Sequence, residues 1–224
     1  HDQELVSLLG VSGGGKTTLF NVISGLEKPE TGHVYLDGRE ITGCPGNVSY
    51  MLQKDMLLPY RTIEDNVALP LLIKGEKKKA AREKVQPYFQ EFGLEGTQKK
   101  YPAQLSGGMR QRAALLRTYL FSRKLALLDE PFSALDTLTK SAMHRWYLQV
   151  MEQIHLSTIF ITHDMDEAIL LSDRIYLLTG RPGRITEEIC IQEPRPRRSD
   201  FNLTDEFLSY KRQILEKLNG SQES

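Results

Sequence analysis

Gly10-Val11-Ser12-Gly13-Gly14-Gly15-Lys16-Thr17 is the stretch on which the fold turns. It fits the phosphate-binding loop pattern, two glycines bracketing four residues ahead of a lysine and a hydroxyl side chain. Before it runs Leu5-Val6-Ser7-Leu8-Leu9, apolar and short, which reads as a buried parallel strand. After it, Leu19, Phe20, Val22 and Ile23 have helical spacing over Thr17 to Ser24, and Gly25 is a stop signal. Strand, glycine loop, helix is the order this chemistry requires. Glycines let backbone N–H groups turn toward phosphates, and the helix adds its positive end. Lys16 can reach the β and γ phosphates of a nucleotide, and Thr17 can hold Mg²⁺ through its hydroxyl. The candidate phosphate contacts are Gly10, Ser12, Gly13, Gly14, Gly15, Lys16, Thr17 and Thr18.

Working outward, His33 to Asp37 and Val48 to Leu52 read as short strands between Gly, Pro and Asn turns. Strand-like runs return at Leu125 to Leu128, Ser157 to Ile161 and Arg174 to Thr179. Helical segments are expected at Gln111 to Phe121, Lys140 to His155 and Met165 to Ser172. That alternation indicates an α/β fold, a mostly parallel sheet with helices on both faces. Between Pro59 and Tyr101 the character changes: Thr62 and Asp65 form a candidate capping box ahead of a Lys/Ala/Glu-rich helical stretch. Lys77 to Lys79 within it read as a solvated helix face. From Glu193 the tail is polar and rich in Pro and Arg, with a last amphipathic helix near Phe207 to Leu218. Parallel core strands are usually flanked by protective structure, so a core strand this early suggests that natural sequence precedes His1.

Leu125-Ala126-Leu127-Leu128-Asp129-Glu130 is an apolar strand ending in two adjacent acids, which buried strands seldom do without a cation or a reaction nearby. Asp129 suits the Mg²⁺ shell. Glu130, pointing the other way along the pleat, can orient or deprotonate an attacking water.

Composition narrows the partners. Of 224 residues 40% are hydrophobic and 26% charged, ordinary for a soluble globular chain. Lys plus Arg and Asp plus Glu both total 29, so nothing in the net field calls for nucleic acid. The longest apolar runs, Val67 to Ile73 and Ala168 to Leu171, fall far short of the ~20 residues of a spanning helix. Any membrane would be crossed by another chain. Cys44 and Cys190 lie far apart without metal or redox spacing and read as packing residues.

At Leu105-Ser106-Gly107-Gly108-Met109-Arg110-Gln111-Arg112 the motifs together resemble the signature of ATP-binding cassette (ABC) proteins. Physically, Ser106, Gly107 and Gly108 at a helix N-terminus form a second anion site, distinct from the first. The resemblance implies a P-loop NTPase working as a head-to-tail homodimer, each signature closing on ATP held by the partner's phosphate loop. It also implies ATP and Mg²⁺ as ligands, with Thr17, Gln53 and Asp129 around the metal. Glu130, His163, Gln53 and Lys16 are the implied catalytic residues. Gln53 resembles the sensor glutamine, and His163 in Thr162-His163-Asp164 resembles the switch histidine. Ser133-Ala134-Leu135-Asp136 resembles the loop joining the two active sites. His1, His33, His144 and His155 have no such context and read as surface or packing residues.

The implied organisation is one ABC ATPase domain over 1–224. Within it, 1–53 and 106–192 form a RecA-like core with a truncated antiparallel β subdomain. Residues 54–105 form an inserted helical subdomain with the signature at its end, and 193–224 a tail and helix. Adenine recognition is unassigned, because the family's aromatic stacking residue precedes the phosphate loop by more chain than is present. Leu57 to Val67 and Gly180-Arg181-Pro182-Gly183-Arg184-Ile185 look like nitrate, sulfonate and taurine importer ATPases. The implied partners are a transmembrane permease subunit and a solute-binding protein, with no nucleic acid, at the inner face of the cell membrane. Met56, Leu57 and Leu58 are candidates for an exposed permease contact. The rival from another class is a soluble, non-transport ABC ATPase acting on ribosomes or DNA; exporter and regulatory roles are further alternatives.

Overall fold

In the computed structural model, which describes residues 1–11, 13–122, 124–195 and 197–220, the apolar runs assemble into a six-stranded sheet. Its strands are β1 (Leu5–Gly10), β4 (Ser49–Met51), β5 (Leu125–Asp129), β6 (Ser157–Thr162), β7 (Arg174–Thr179) and β8 (Arg184–Cys190). Their order is β4-β5-β6-β1-β7-β8; β8 alone runs antiparallel, against β7. β2 (Tyr35–Leu36) and β3 (Arg39–Glu40) form a separate antiparallel pair. β1 lies between β6 and β7, so Leu5, Leu8 and Leu9 are all buried.

Period-two alternation sorts the strands' side chains onto two faces. Leu8, Leu127, Ile161 and Leu178 share a cluster with Phe20 of α1 (Lys16–Ser24). On the opposite face Ala126, Leu128 and Phe160 meet α5 (Gly107–Phe121) and α6 (Thr137–Ile154). Leu9, Ile175 and Leu177 meet α7 (Met165–Leu171) and α8 (Asp205–Gly220), the last through Phe207 and Ile214. Helices thus cover both faces, as a buried parallel sheet requires. Between β4 and α5 lie α2 (Ile63–Val67), α3 (Leu69–Ile73) and α4 (Lys78–Glu91), whose Ile63, Val67, Val85 and Phe89 join the cluster under α5.

Several expectations needed correcting. α6 begins at Thr137, ahead of its apolar repeat, because Asp136 caps it through a side-chain oxygen that accepts the N–H of Thr139; α5 begins at Gly107, as the placing of Ser106 at a helix N-terminus implies, with Ser106 accepting the N–H of Met109. β8 was not foreseen: its Arg and Glu residues mask a strand periodicity on an exposed edge, where charge guards against edge pairing. Thr62 does accept from Asp65 N at 3.4 Å, yet the Asp65 carboxylate turns to Arg82 Nε at 2.8 Å, so the capping box is half formed. Cys44 and Cys190 are exposed rather than packed. Leu57 is buried, leaving Met56 and Leu58 exposed. Lys77 to Lys79 are exposed as expected, with Lys78 paired to Asp65 at 3.0 Å. Among the described residues no helix is long and apolar enough to cross a membrane.

Candidate functional site

The register of β1 against β7 pairs Gly10 with Leu178 and brings the glycine loop out at the carboxyl edge of the sheet. Glycine is demanded at Gly10 by proximity: a Cβ there would stand 2.4 Å from the Leu178 carbonyl oxygen. Gly15 takes the N-cap of α1 at φ 91, a left-handed conformation that a side chain would strain. Ser12 lies outside the described residues. Lys16 is buried, and its Nζ donates to the carbonyl oxygens of Gly10 at 2.8 Å and Val11 at 2.9 Å. Burial draws its pKa below the ordinary lysine range, while the charges of Glu130 and Asp129 oppose that shift.

Three neighbouring strand ends deliver the acids and their partners. Asp129 closes β5, buried, and accepts the Thr17 hydroxyl at 3.1 Å. Burial raises its pKa against the Thr17 bond, and the adjacent Glu130 charge raises it further. Tyr50 on β4 belongs to the same environment, its phenol pushed up to about 12 by burial and then by the Asp129 charge. Glu130 leaves the strand in a left-handed conformation, φ 46, with its N–H donating to the Ile161 carbonyl oxygen at 3.0 Å. The turn therefore aims this side chain, not the strand pleat. One carboxylate oxygen accepts Gln53 Nε2 at 2.9 Å, and the other lies 3.1 Å from His163 Nδ1. A non-glycine residue held at positive φ is strain of the kind that gathers at reactive sites.

Gln53, Glu130 and His163 thus form one cluster, and Lys16, Thr17 and Asp129 a second, joined by the Asp129–Glu130 peptide. The oxygen donors of Thr17 and Asp129 suit Mg²⁺, a hard cation that takes one or two protein oxygens and completes its shell with phosphates and water. Gln53, whose amide nitrogen is committed to Glu130, retains an amide oxygen as a further candidate donor. Thr18 is exposed in the first turn of α1. The signature residues stand apart: no bond links Ser106, Gly107, Gly108 or Asp136 to the glycine loop among the described residues. Gly107 nevertheless lines an open cleft of about 720 Å³ with Gln53, Glu130, Leu135 and His163.

Sequence reasoning passed over the wall behind the loop. A Cβ on Gly183 would meet the Gly14 carbonyl oxygen at 2.0 Å, so the turn between β7 and β8 lies directly against the loop backbone. Arg181, in the same turn, brings a guanidinium nitrogen to 3.6 Å from where a Gly13 Cβ would be. The Gly180-Arg181-Pro182-Gly183 string was visible, but only an unusually close backbone approach gives its second glycine a purpose.

A phosphate loop, two acids on the neighbouring strand, and a glutamine and histidine closing on the second acid define a nucleotide-hydrolysing P-loop protein. Comparison with known proteins specifies the class. Residues 1–133 match the family model described as ABC transporter. The chain is 43% identical over 216 residues to the formylaminopyrimidine import ATP-binding protein ThiZ of Halalkalibacterium halodurans, covering 96% of this chain and 83% of that protein. It is 36% identical to the nitrate import ATP-binding protein NrtD of a Synechocystis species, covering 97% and 84%. To the aliphatic sulfonates import ATP-binding protein SsuB of Bacillus cereus it is 37% identical, covering 95% and 82%. Its backbone resembles a dimeric ATP-binding cassette solved after hydrolysis with ADP and Pi, at a TM-score of 0.71 and 28% identity over 86% of this chain and 87% of that one. The chain belongs to the ABC transporter family and is an ATP-binding, ATP-hydrolysing subunit.

Proposed function

We propose that this chain is the ATPase subunit of an importer for a small anionic or sulfonate-like solute, sitting on the inner face of the membrane against a permease and served by a solute-binding protein. The observation that carries the catalytic part is Glu130, its carboxylate held between Gln53 Nε2 at 2.9 Å and His163 Nδ1 at 3.1 Å. A carboxylate so fixed can take a proton from a water aimed at the γ-phosphorus; the P–O bond to ADP breaks as the water oxygen bonds, releasing ADP and phosphate. Gln53 orients Glu130 and the water, and His163 bridges the base and the γ-phosphate. Lys16, moving from the Gly10 and Val11 carbonyls to the β and γ oxygens, offsets their charge. Thr17, Asp129 and Gln53 would hold a Mg²⁺ ion, which would supply charge neutralisation to the phosphates.

Dimerisation finds support in the signature glycines. Gly107 and Gly108 both lie outside the left-handed region, and a Cβ on either would meet its nearest neighbour at an ordinary 3.6–3.7 Å. Among the described residues nothing demands glycine at either position. Glycine at a helix N-terminus with no internal need for it suits close approach by an external anion, here ATP on a second copy. The similar solved cassette is described as dimeric. The relatives' names, import proteins for nitrate, sulfonates and a pyrimidine, favour transport over a soluble role on ribosomes or DNA.

The test is co-purification of tagged Glu130→Gln protein with Mg-ATP from gently solubilised membranes. A multi-span permease, with a solute-binding protein, is the expected catch. Ribosomes or DNA-associated proteins without a permease would leave the ATPase and remove the transport.

A further inference from the structure

Glu167 is a carboxylate 3% exposed that the hydrolytic scheme does not use. It occupies the third position of α7, capped by Asp164, whose side chain accepts the N–H groups of Asp166 at 3.0 Å and Glu167 at 3.2 Å. A plain capping box would fold the Glu167 carboxylate back onto the Asp164 N–H. Here that N–H donates instead to the Thr162 hydroxyl at 3.0 Å, and the hydroxyl donates onward to Glu167 Oε2. The other carboxylate oxygen, Oε1, lies 2.9 Å from Nε2 of His144 on α6, a side chain 12% exposed. Lys140, one turn earlier on α6, reaches Asp164 at 3.2 Å and Glu167 at 3.9 Å.

Both residues flanking His163 are therefore pinned to α6 through Glu167. The same His144 ring stands edge-on to Phe132, centroids 4.8 Å apart, and Phe132 lies two residues beyond Glu130. One imidazole thus touches the loop carrying the base and, through a buried carboxylate, the loop carrying the histidine. α6 itself is capped by Asp136, the last residue of the candidate link between active sites. A buried carboxylate is costly unless its oxygens are satisfied, and losing one partner leaves the remainder free to rearrange.

We propose that His144 and Glu167 are positioning residues for hydrolysis: they fix the Thr162–Asp164 segment, hold the His163 ring against Glu130, and tie that ring to α6. This rests on the hydrolytic roles given above to Glu130 and His163. The test measures ATPase turnover and ATP affinity on purified His144→Leu, His144→Gln and Thr162→Val chains, with Glu130→Gln and wild type alongside. Loss of the donor in His144→Leu, or of the relay hydroxyl in Thr162→Val, lowers kcat about tenfold and leaves ATP Kd within about twofold, as expected of a displaced catalytic group. His144→Gln, keeping an N–H donor toward Glu167, recovers kcat to within about threefold of wild type.

Melting temperatures identify variants whose loss is merely of folded protein. Turnover within about twofold of wild type in both His144→Leu and Thr162→Val overturns the proposal, as does a rise in Kd with kcat unmoved. If Glu130→Gln itself turns over ATP at the wild-type rate, the reading of the hydrolytic site has failed first and the positioning role falls with it.

Discussion

The two candidate phosphate sites differ in where their requirements are met. At the glycine loop, requirements are internal: Gly10 faces the Leu178 carbonyl, Gly14 supports Gly183, and Lys16 and Thr17 have partners in the same chain. At the signature, Ser106 caps α5 but Gly107 and Gly108 have room for a side chain. Glycine in a helix's first turns costs backbone entropy, so its use where the fold does not need it points to something outside the fold. One site is built by the chain; the other, in the dimer proposed above, is offered to a second copy.

The largest effect is expected at the internal site. Replacing Glu130 with Gln keeps the size of the side chain and removes the base, and turnover is expected to fall by about 10²-fold or more with ATP binding retained. Steady-state phosphate release and equilibrium nucleotide binding check the two halves separately.

Gly183→Ala comes next. The new methyl would meet the Gly14 carbonyl at 2.0 Å, so the glycine loop must shift, weakening ATP binding by about tenfold. Titration with a fluorescent nucleotide reads this directly, and unchanged affinity would show that the β7–β8 turn does not set the loop.

At the signature the signs separate. Gly108→Ala should leave stability unchanged or raise it by up to about 1 kcal/mol, because alanine restricts the unfolded chain and has space in the helix. The same change should weaken ATP-driven association. Thermal melts and sedimentation on one preparation test both, and a loss of stability would contradict the idea that the chain has no use for this glycine.

The smallest effect is expected at Asp65 on α2. The Arg82 hydrogen bond holds the Asp65 pKa down at about 2, burial opposing it and Lys78 assisting. A carboxyl whose folded pKa is depressed contributes stability above its unfolded pKa, ordinarily near 3.9, and loses it as pH falls through about 2. Wild type should therefore lose stability over that window relative to Asp65→Asn, with the two curves converging at the acid end; parallel curves would remove the pair from the account.

Much of this was legible in the sequence because the decisive elements have local signatures. The glycine loop carries its spacing, the β5 acids follow an apolar run, and Gln53 and His163 follow strands in order. What escaped depends on distance in three dimensions. Glu130 is aimed by a left-handed turn rather than the pleat, which no alternation of residue types reveals. β8 was hidden by charge on an edge strand, and the start of α6 by a cap that precedes its apolar repeat. His144 read as an ordinary surface or packing histidine until α6 and α7 brought it to a buried Glu167. Gly183 needed the loop beside it before its lack of a side chain meant anything.

In the proposed dimer ATP is bound between two copies, the glycine loop of one meeting the signature of the other. Sedimentation of Glu130→Gln protein with and without Mg-ATP tests it most directly. The expected result is a monomer that becomes a dimer on nucleotide addition and stays monomeric when Gly108→Asp is added. A chain that binds Mg-ATP and remains monomeric at all concentrations, or a dimer indifferent to Gly108→Asp, would contradict it.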